Sequence, residues 1–268
     1  MRMIRPLLVT VLALAAAPAT PQAAVGSAPL PIETVRIVAA YPHDRTAFTE
    51  GLLVHDGSLY ESTGREGQSD IRRVDLASGR VIARATLPSR LFGEGIAAWK
   101  STLVSVTWKT GEGFRWRLPD LRRAGTVAYA GEGWGMTSDD RHIILSDGTA
   151  TLRFLDPVTF KVVRRLPVTA RGRPLDQLNE LELVDGEILA NIWMTPYIAR
   201  IDPATGAVRG FLDLTPLVER VGVRDPDAVA NGIAWDAKAH ALYVTGKNWP
   251  ELFAIALPAR AGTGNGGR

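Results

Sequence analysis

Residues 47–55 read AFTEGLLVH and residues 91–99 read LFGEGIAAW. Each copy sets a phenylalanine (Phe48, Phe92) two places before a glutamate (Glu50, Glu94), then a glycine, then an apolar run. Aligning the chain on the glutamate extends the series to Trp134, Asn179 and Asn231, at intervals of 44, 40, 45 and 52 residues. After each position comes a short apolar strand, a polar turn and a second strand: GLLVHDGSLYES, GIAAWKSTLVSVTW, GMTSDDRHIILSD, ELELVDGEILANIW and GIAWDAKAHALYVTG. Asp56-Gly57 and Asp185-Gly186 are hairpin-turn signals.

Four of the units continue with a second alternating hairpin: IRRVDLASGRVIARATL, FRWRLPDLRRAGTVAY, LRFLDPVTFKVVRRL and IARIDPATGAVRGFL. The fifth has only ELFAIALP and lacks a strand, which the N-terminal segment ETVRIVAAYP (residues 33–42) is free to supply. Four-stranded antiparallel units at this period are propeller blades. The expectation is an all-β, five-bladed propeller over residues 32–259, closed by its N-terminal strand; an open β-sandwich is the competing architecture. Helix is expected only in short pieces such as residues 216–222.

The flanks read differently. Residues 1–24 carry early arginines, an apolar run from Leu7 to Ala17 and then small residues with proline, the layout of a secretory signal peptide. The run is too short for an ordinary membrane span. Export to the periplasm or the medium is therefore expected, with no membrane anchor after cleavage. Residues 260–268, rich in glycine, read as a flexible tail.

Composition narrows the chemistry. With no cysteine there is no disulfide, thiolate metal site or cysteine nucleophile. Net charge is only +3 and no basic block is interleaved with aromatics, which argues against nucleic acid. His43, His55, His142 and His240 show no metal-ligand spacing. There is no Gly-x-Ser-x-Gly elbow, and GEGFRW and GEGWGM lack the strand-to-helix context of a phosphate loop.

In a propeller the aligned positions Glu50, Glu94, Trp134, Asn179 and Asn231 form a ring at one mouth of the central channel. Fourteen residues further on, where each hairpin returns to the same end, stand Gly64, Trp108, Gly148 and Trp193; in the fifth unit Lys247 comes sixteen on. Taken singly, the tryptophans read as blade core and the glycines as tight packing. Gathered at one mouth, carboxylates, amides, a lysine and three tryptophans have a pocket's composition. A carboxylate with aromatic walls has a raised pKa suited to acid–base work.

At these residues the chain resembles the glutaminyl-peptide cyclotransferases (glutaminyl cyclases) of plants and bacteria. The matching stretches run in order from about Tyr41 to Phe253: AFTEGLL, LYESTGREGQSDIR, FGEGIA, VTWK, EGWGMTSD, SDGT, DPVTF, LNELE, ANIWMT, IARIDP and TGKNWPELF. The resemblance implies a five-bladed propeller and an acyltransferase that closes the N-terminal glutamine of peptides or proteins to pyroglutamate, releasing ammonia. It implies Glu94 as proton shuttle, Asn179 and Lys247 as polar catalytic partners, and Phe48, Phe92, Trp108, Trp134 and Trp193 as aromatic walls. It requires no catalytic cofactor, allows a structural calcium in the central channel with ligands unknown, and suits a monomer. Where the family usually has glutamine this chain has Glu50, expected to touch the substrate or to raise the pKa of Glu94. The alternatives are a metal-dependent propeller lactonase and a non-catalytic periplasmic propeller that binds peptides.

Overall fold

The computed structural model describes residues 29–256. The signal peptide and tail expected from sequence lie outside those residues. The described residues open with β1 (Ile32–Thr34) and β2 (Ile37–Pro42). A first blade follows, from β3 (Thr49–His55), β4 (Ser58–Thr63), β5 (Asp70–Val74) and β6 (Val81–Thr86). The second contains β7 (Gly93–Trp99), β8 (Thr102–Thr107), β9 (Glu112–Arg117) and β10 (Arg122–Ala128). The third contains β11 (Met136–Ser138), β12 (Ile143–Leu145), β13 (Thr151–Leu155) and β14 (Val162–Pro167).

A small hairpin not expected from sequence, β15 (Thr169–Ala170) with β16 (Arg173–Pro174), precedes the fourth blade. That blade has β17 (Leu178–Val184), β18 (Glu187–Ile192), β19 (Tyr197–Ile201) and β20 (Val208–Asp213). Helix α1 (Thr215–Val221), ended by Gly222 in the left-handed region, leads to β21 (Ala230–Asp236), β22 (Ala241–Gly246) and β23 (Glu251–Ile255). In the fifth blade β2 pairs antiparallel with β23, so the first and last strands of the ring share a sheet. The five-bladed, N-terminally clasped propeller is the observed fold.

One detail differs from the sequence reading. The segment 33–42 is not one strand: β2 alone closes the fifth blade, while β1 runs parallel to β20 on the outer edge of the fourth. That edge would otherwise leave its backbone groups unpaired, and Glu33 adds an ion pair with Arg200 at 2.9 Å.

Five apolar clusters hold the ring among the described residues, one in each seam between blades. Leu103 and Phe114 meet Ile71 in the first seam, Met136 meets Val104 in the next, and Leu52 meets Leu252 where the ring closes. The other two join the third blade to the fourth and the fourth to the fifth. The innermost strands are buried on both sides, whereas the outer β6 and β14 alternate or lie open to solvent. Glycine permits the tight approach at the axis: a Cβ on Gly135 would lie 2.1 Å from the Asn179 carbonyl oxygen of the neighbouring blade. The outer turns repeat one device, with Asp156 and Asp202 each accepting backbone N–H bonds from the residues two and three places on.

Candidate active site

The aligned residues of the inner strands are presented by β-bulges. The register of β3 with β4 slips between Thr49 and Gly51, at Glu50. That of β7 slips between Gly93 and Ile96, at Glu94, and that of β17 between Leu178 and Leu181, at Asn179. β21 slips at Asn231. A bulge breaks the strict in–out alternation of a strand and re-aims a side chain, so each of these four inner strands delivers one polar group to the same mouth, while in the third blade Trp134 stands just ahead of β11. The returning strands end beside them: the Trp108 N–H donates to the Phe92 carbonyl, Trp193 to Gln177 and Lys247 to Val229.

Two carboxyl groups lie at the centre. Glu94 is 6% exposed and lies close enough to Glu50 to feel its charge. Glu50 in turn accepts Lys247 Nζ at 2.7 Å on one oxygen and Asn231 Nδ2 at 3.1 Å on the other. Burial raises the pKa of both acids; for Glu50 the Lys247 charge works against that rise, though the net shift is still upward. Glu94 is pushed well above the usual carboxylate range by burial and then by the Glu50 charge, with Lys247 opposing and Glu132 adding to the rise. Two neighbouring carboxyls resist ionising together. Lys247, hydrogen-bonded to Glu50, favours that partner's anion, which leaves Glu94 the more strongly raised of the two.

Around this pair the aromatics form an arc. Phe48 meets Phe92 edge-on at 6.2 Å, Phe92 meets Trp108 at 5.6 Å, and Trp134 meets Trp193 edge-on at 5.8 Å. Lys247 Nζ sits 4.6 Å from the Phe48 ring centroid and the Arg65 guanidinium 4.4 Å from it. Trp108 and Trp193 are 36% and 40% exposed and form the open lip. The glycines among the returning residues make this possible: a Cβ on Gly148, at φ +78°, would lie 2.7 Å from the Trp134 ring, and one on Gly64 would lie 2.4 Å from Phe92. Asn179 is buried, and its Oδ1 has no hydrogen-bond partner among the described residues.

The structure thus brings Glu50, Glu94, Asn179, Lys247, Phe48, Phe92, Trp108, Trp134 and Trp193 to one mouth. None of the four histidines joins them; His43 is held in the closing seam by Glu61. Sequence reasoning missed Arg65 and Glu132. Glu132 was legible as an acid two places before Trp134, but nothing in the linear pattern set it beside Trp108.

A second concavity of about 420 Å³ opens at the other mouth, among the far ends of the inner strands, lined by His55, Trp99, Ser138 and Glu182; it contains none of the residues above. As for calcium, which takes six to eight oxygens, the buried channel carboxylates are Glu180 and Glu182, and their oxygens already accept hydrogen bonds. The two Glu180 oxygens accept backbone N–H bonds from Leu52 and Ile233, and those of Glu182 accept from Trp235 and Thr137. No group of three metal-binding side chains occurs among the described residues.

With this geometry in view the comparisons are specific. The family model for glutamine cyclotransferase matches residues 8–257. A glutaminyl-peptide cyclotransferase of Arabidopsis thaliana is 40% identical over 240 residues, covering 87% of this chain and 75% of that protein. The crystal structure of Myxococcus xanthus glutaminyl cyclase superposes with a TM-score of 0.81 at 38% identity, covering 85% of this chain and 98% of that one. Blade count, strand closure and similarity along nearly the whole domain agree: the chain belongs to the glutamine cyclotransferase family.

Proposed function

We propose that this protein is a glutaminyl-peptide cyclotransferase that converts N-terminal glutamine to pyroglutamate without a catalytic metal. The observation that carries the reading is a buried carboxyl of raised pKa, Glu94, paired with Glu50 and ringed by aromatics. The nucleophile and the electrophile both belong to the substrate, so the protein's tasks are to curl it, move one proton and receive charge on one oxygen. Held against the tryptophans, the glutamine side chain is brought to the α-amine, and proximity of this kind lowers a barrier by several kcal/mol.

In the reacting state Glu94 is ionised and the α-amine is a free base. The amine nitrogen attacks the side-chain carboxamide carbon; the new N–C bond forms as the carbonyl electrons move onto oxygen. The surplus proton on that nitrogen passes to Glu94, which returns it to the carboxamide nitrogen. The C–N bond breaks, ammonia leaves and the carbonyl re-forms, with Glu94 as it began. A raised pKa makes Glu94 a stronger base and moves it toward the α-amine's value of about 8, the matching that acid–base catalysis favours. Asn179, with its side-chain oxygen unpartnered among the described residues, offers an acceptor to the N–H groups of the reacting carboxamide. Lys247 is committed to Glu50 and sets the charge of the pair. The leader-like run at Leu7–Ala17 supports action on exported peptides and proteins.

The test is ammonia release from a glutamine-initiated dipeptide by the purified protein, with and without EDTA, beside Glu94→Gln. Turnover that survives EDTA and falls by about 10³ or more in the variant supports the reading, since acid–base catalysis contributes about 10²–10⁴. Near-normal turnover in Glu94→Gln removes the shuttle. Turnover lost with EDTA points to metal chemistry, and a folded wild type that binds the peptide without turnover is a binding propeller.

A further inference from the structure

The aromatic arc has one break. Between Trp108 on the second blade and Trp134 on the third there is no ring contact; a carboxylate fills the gap. Glu132 Oε2 accepts the indole N–H of Trp108 at 2.8 Å and that of Trp134 at 2.9 Å. The loop carrying it is itself anchored, because Arg153 Nη2 donates to the Glu132 carbonyl and the Gly133 N–H donates to the Trp108 carbonyl at 3.1 Å. Trp108 also carries Lys109 over its face, 3.7 Å from the ring centroid. An ionised acceptor makes N–H bonds roughly twice as strong as a neutral one does. Here both bonds end on one atom, which fixes the two rings relative to each other across a blade seam.

We propose that Glu132 is a positioning residue of the cyclisation: its single oxygen locks Trp108 and Trp134 into the wall that curls the substrate. The proposal rests on the cyclase reading above. Glu132 acts through the tryptophans, and its charge is also one of those facing Glu94, along with Glu50, Lys247 and the phenol of Tyr129. Like-charge repulsion favours the protonated form of Glu94. Removing the Glu132 charge therefore moves the acid limb of the rate profile, where Glu94 must ionise, to lower pH.

Two variants separate hydrogen bonding from charge. Glu132→Ala removes the acceptor; Glu132→Gln keeps an oxygen but not the charge. Both are assayed for ammonia release from a glutamine-initiated dipeptide across pH, with ¹⁵N-resolved indole N–H signals and melting curves recorded on the same samples. Misplacement of a binding group by about 1 Å costs up to roughly 10²-fold. The expected result is a fall in kcat/KM of about 10- to 100-fold for Glu132→Ala, with two indole N–H signals displaced. Glu132→Gln should keep more of the activity and shift the acid limb to lower pH, with its melting temperature close to wild type. An active wild type alongside a Glu132→Ala variant within about twofold of its kcat/KM, with the pH limb unmoved in Glu132→Gln, overturns the proposal and leaves the cyclase reading standing. A folded wild type that releases no ammonia overturns both. Should Glu132→Ala fail to fold, the pH limb and indole signals of Glu132→Gln decide the matter alone.

Discussion

Glu50 is where this chain turns a general pocket into a particular one. A neutral amide there would leave Glu94 facing Lys247 with no second carboxylate beside it. The glutamate instead takes the lysine for itself and adds its own charge to the burial of Glu94. The catalytic base is thereby strengthened, and kcat/KM is expected to rise with pH as Glu94 and the substrate amine lose their protons. In Glu50→Gln the repulsion disappears and Lys247 is released toward Glu94, so the pKa of Glu94 falls. A pH–rate series on the two proteins checks this: the acid limb should move to lower pH in the variant, with a lower plateau from a weaker base. Gly148 makes a second residue-scale case. Gly148→Ala puts a methyl into the Trp134 ring and imposes a left-handed backbone on alanine, which costs about 1–3 kcal/mol. Thermal melting should show that loss, and kcat/KM should drop with it because the displaced ring is part of the wall.

At the scale of elements, the closing strand does more than complete a sheet. Directly after β2, His43 presents one ring nitrogen to the Trp249 carbonyl at 2.7 Å and the other to Glu61 at 2.9 Å. It thus ties the N-terminal clasp and the fifth blade to the first. Glu61 also accepts Thr49 Oγ1 at 2.7 Å, next to Arg72, which pairs with Asp70 and Asp44. Burial by itself lowers the His43 pKa, but the Glu61 charge and hydrogen bond overcome it and the net shift is upward. Burial raises Glu61, and the His43 charge and bond outweigh it to leave a net lowering. The sign follows. The His43 contribution is complete below its unfolded value near 6.5 and is lost as pH rises through the folded value. The Glu61 contribution is complete above about 4.5 and is lost as pH falls. His43→Gln should therefore cost about 3 kcal/mol between these limits, the scale of a broken buried pair, and less at pH 9. Denaturant melts at pH 5.5 and pH 9 measure the difference, and an equal penalty at both would dispose of the charged pair.

The whole molecule carries a cost along its axis. Glu180 and Glu182 are buried where the inner strands converge, and burial, reinforced for Glu180 by the Glu182 charge, holds both up; Glu182 reaches about 8. A carboxyl whose folded pKa exceeds its unfolded one binds more protons in the native state, so stability declines as pH climbs from about 4.5 toward 8. Glu182→Gln, neutral at every pH, is expected to melt like wild type at pH 5 and at a higher temperature at pH 9. Equal melting temperatures at pH 9 would mean that Glu182 ionises in place without penalty.

Repetition made the ring legible before any coordinates. Recurrence of Phe-x-Glu-Gly and its degenerate copies every 40 to 52 residues gives blade number, blade order and the mouth at which the odd residues meet, because each hairpin must return to its own start. Local pattern also gave the short helix and the missing outer strand of the fifth blade. What the linear pattern could not contain is whatever depends on the seams. The split of residues 33–42 between two blades arises from an open edge on the fourth blade, 180 residues away in sequence from β1. The bulges that re-aim Glu50, Glu94 and Asn179 are set by pairing register. The Lys247–Glu50 pair beside Glu94 forms only when the ring closes, and Glu132 reaches Trp108 only once the second blade stands beside the third. Periodicity is a property of one strand and its neighbours in the chain; charge, desolvation and shared hydrogen bonds belong to atoms that meet across a seam, and the tertiary structure alone decided those.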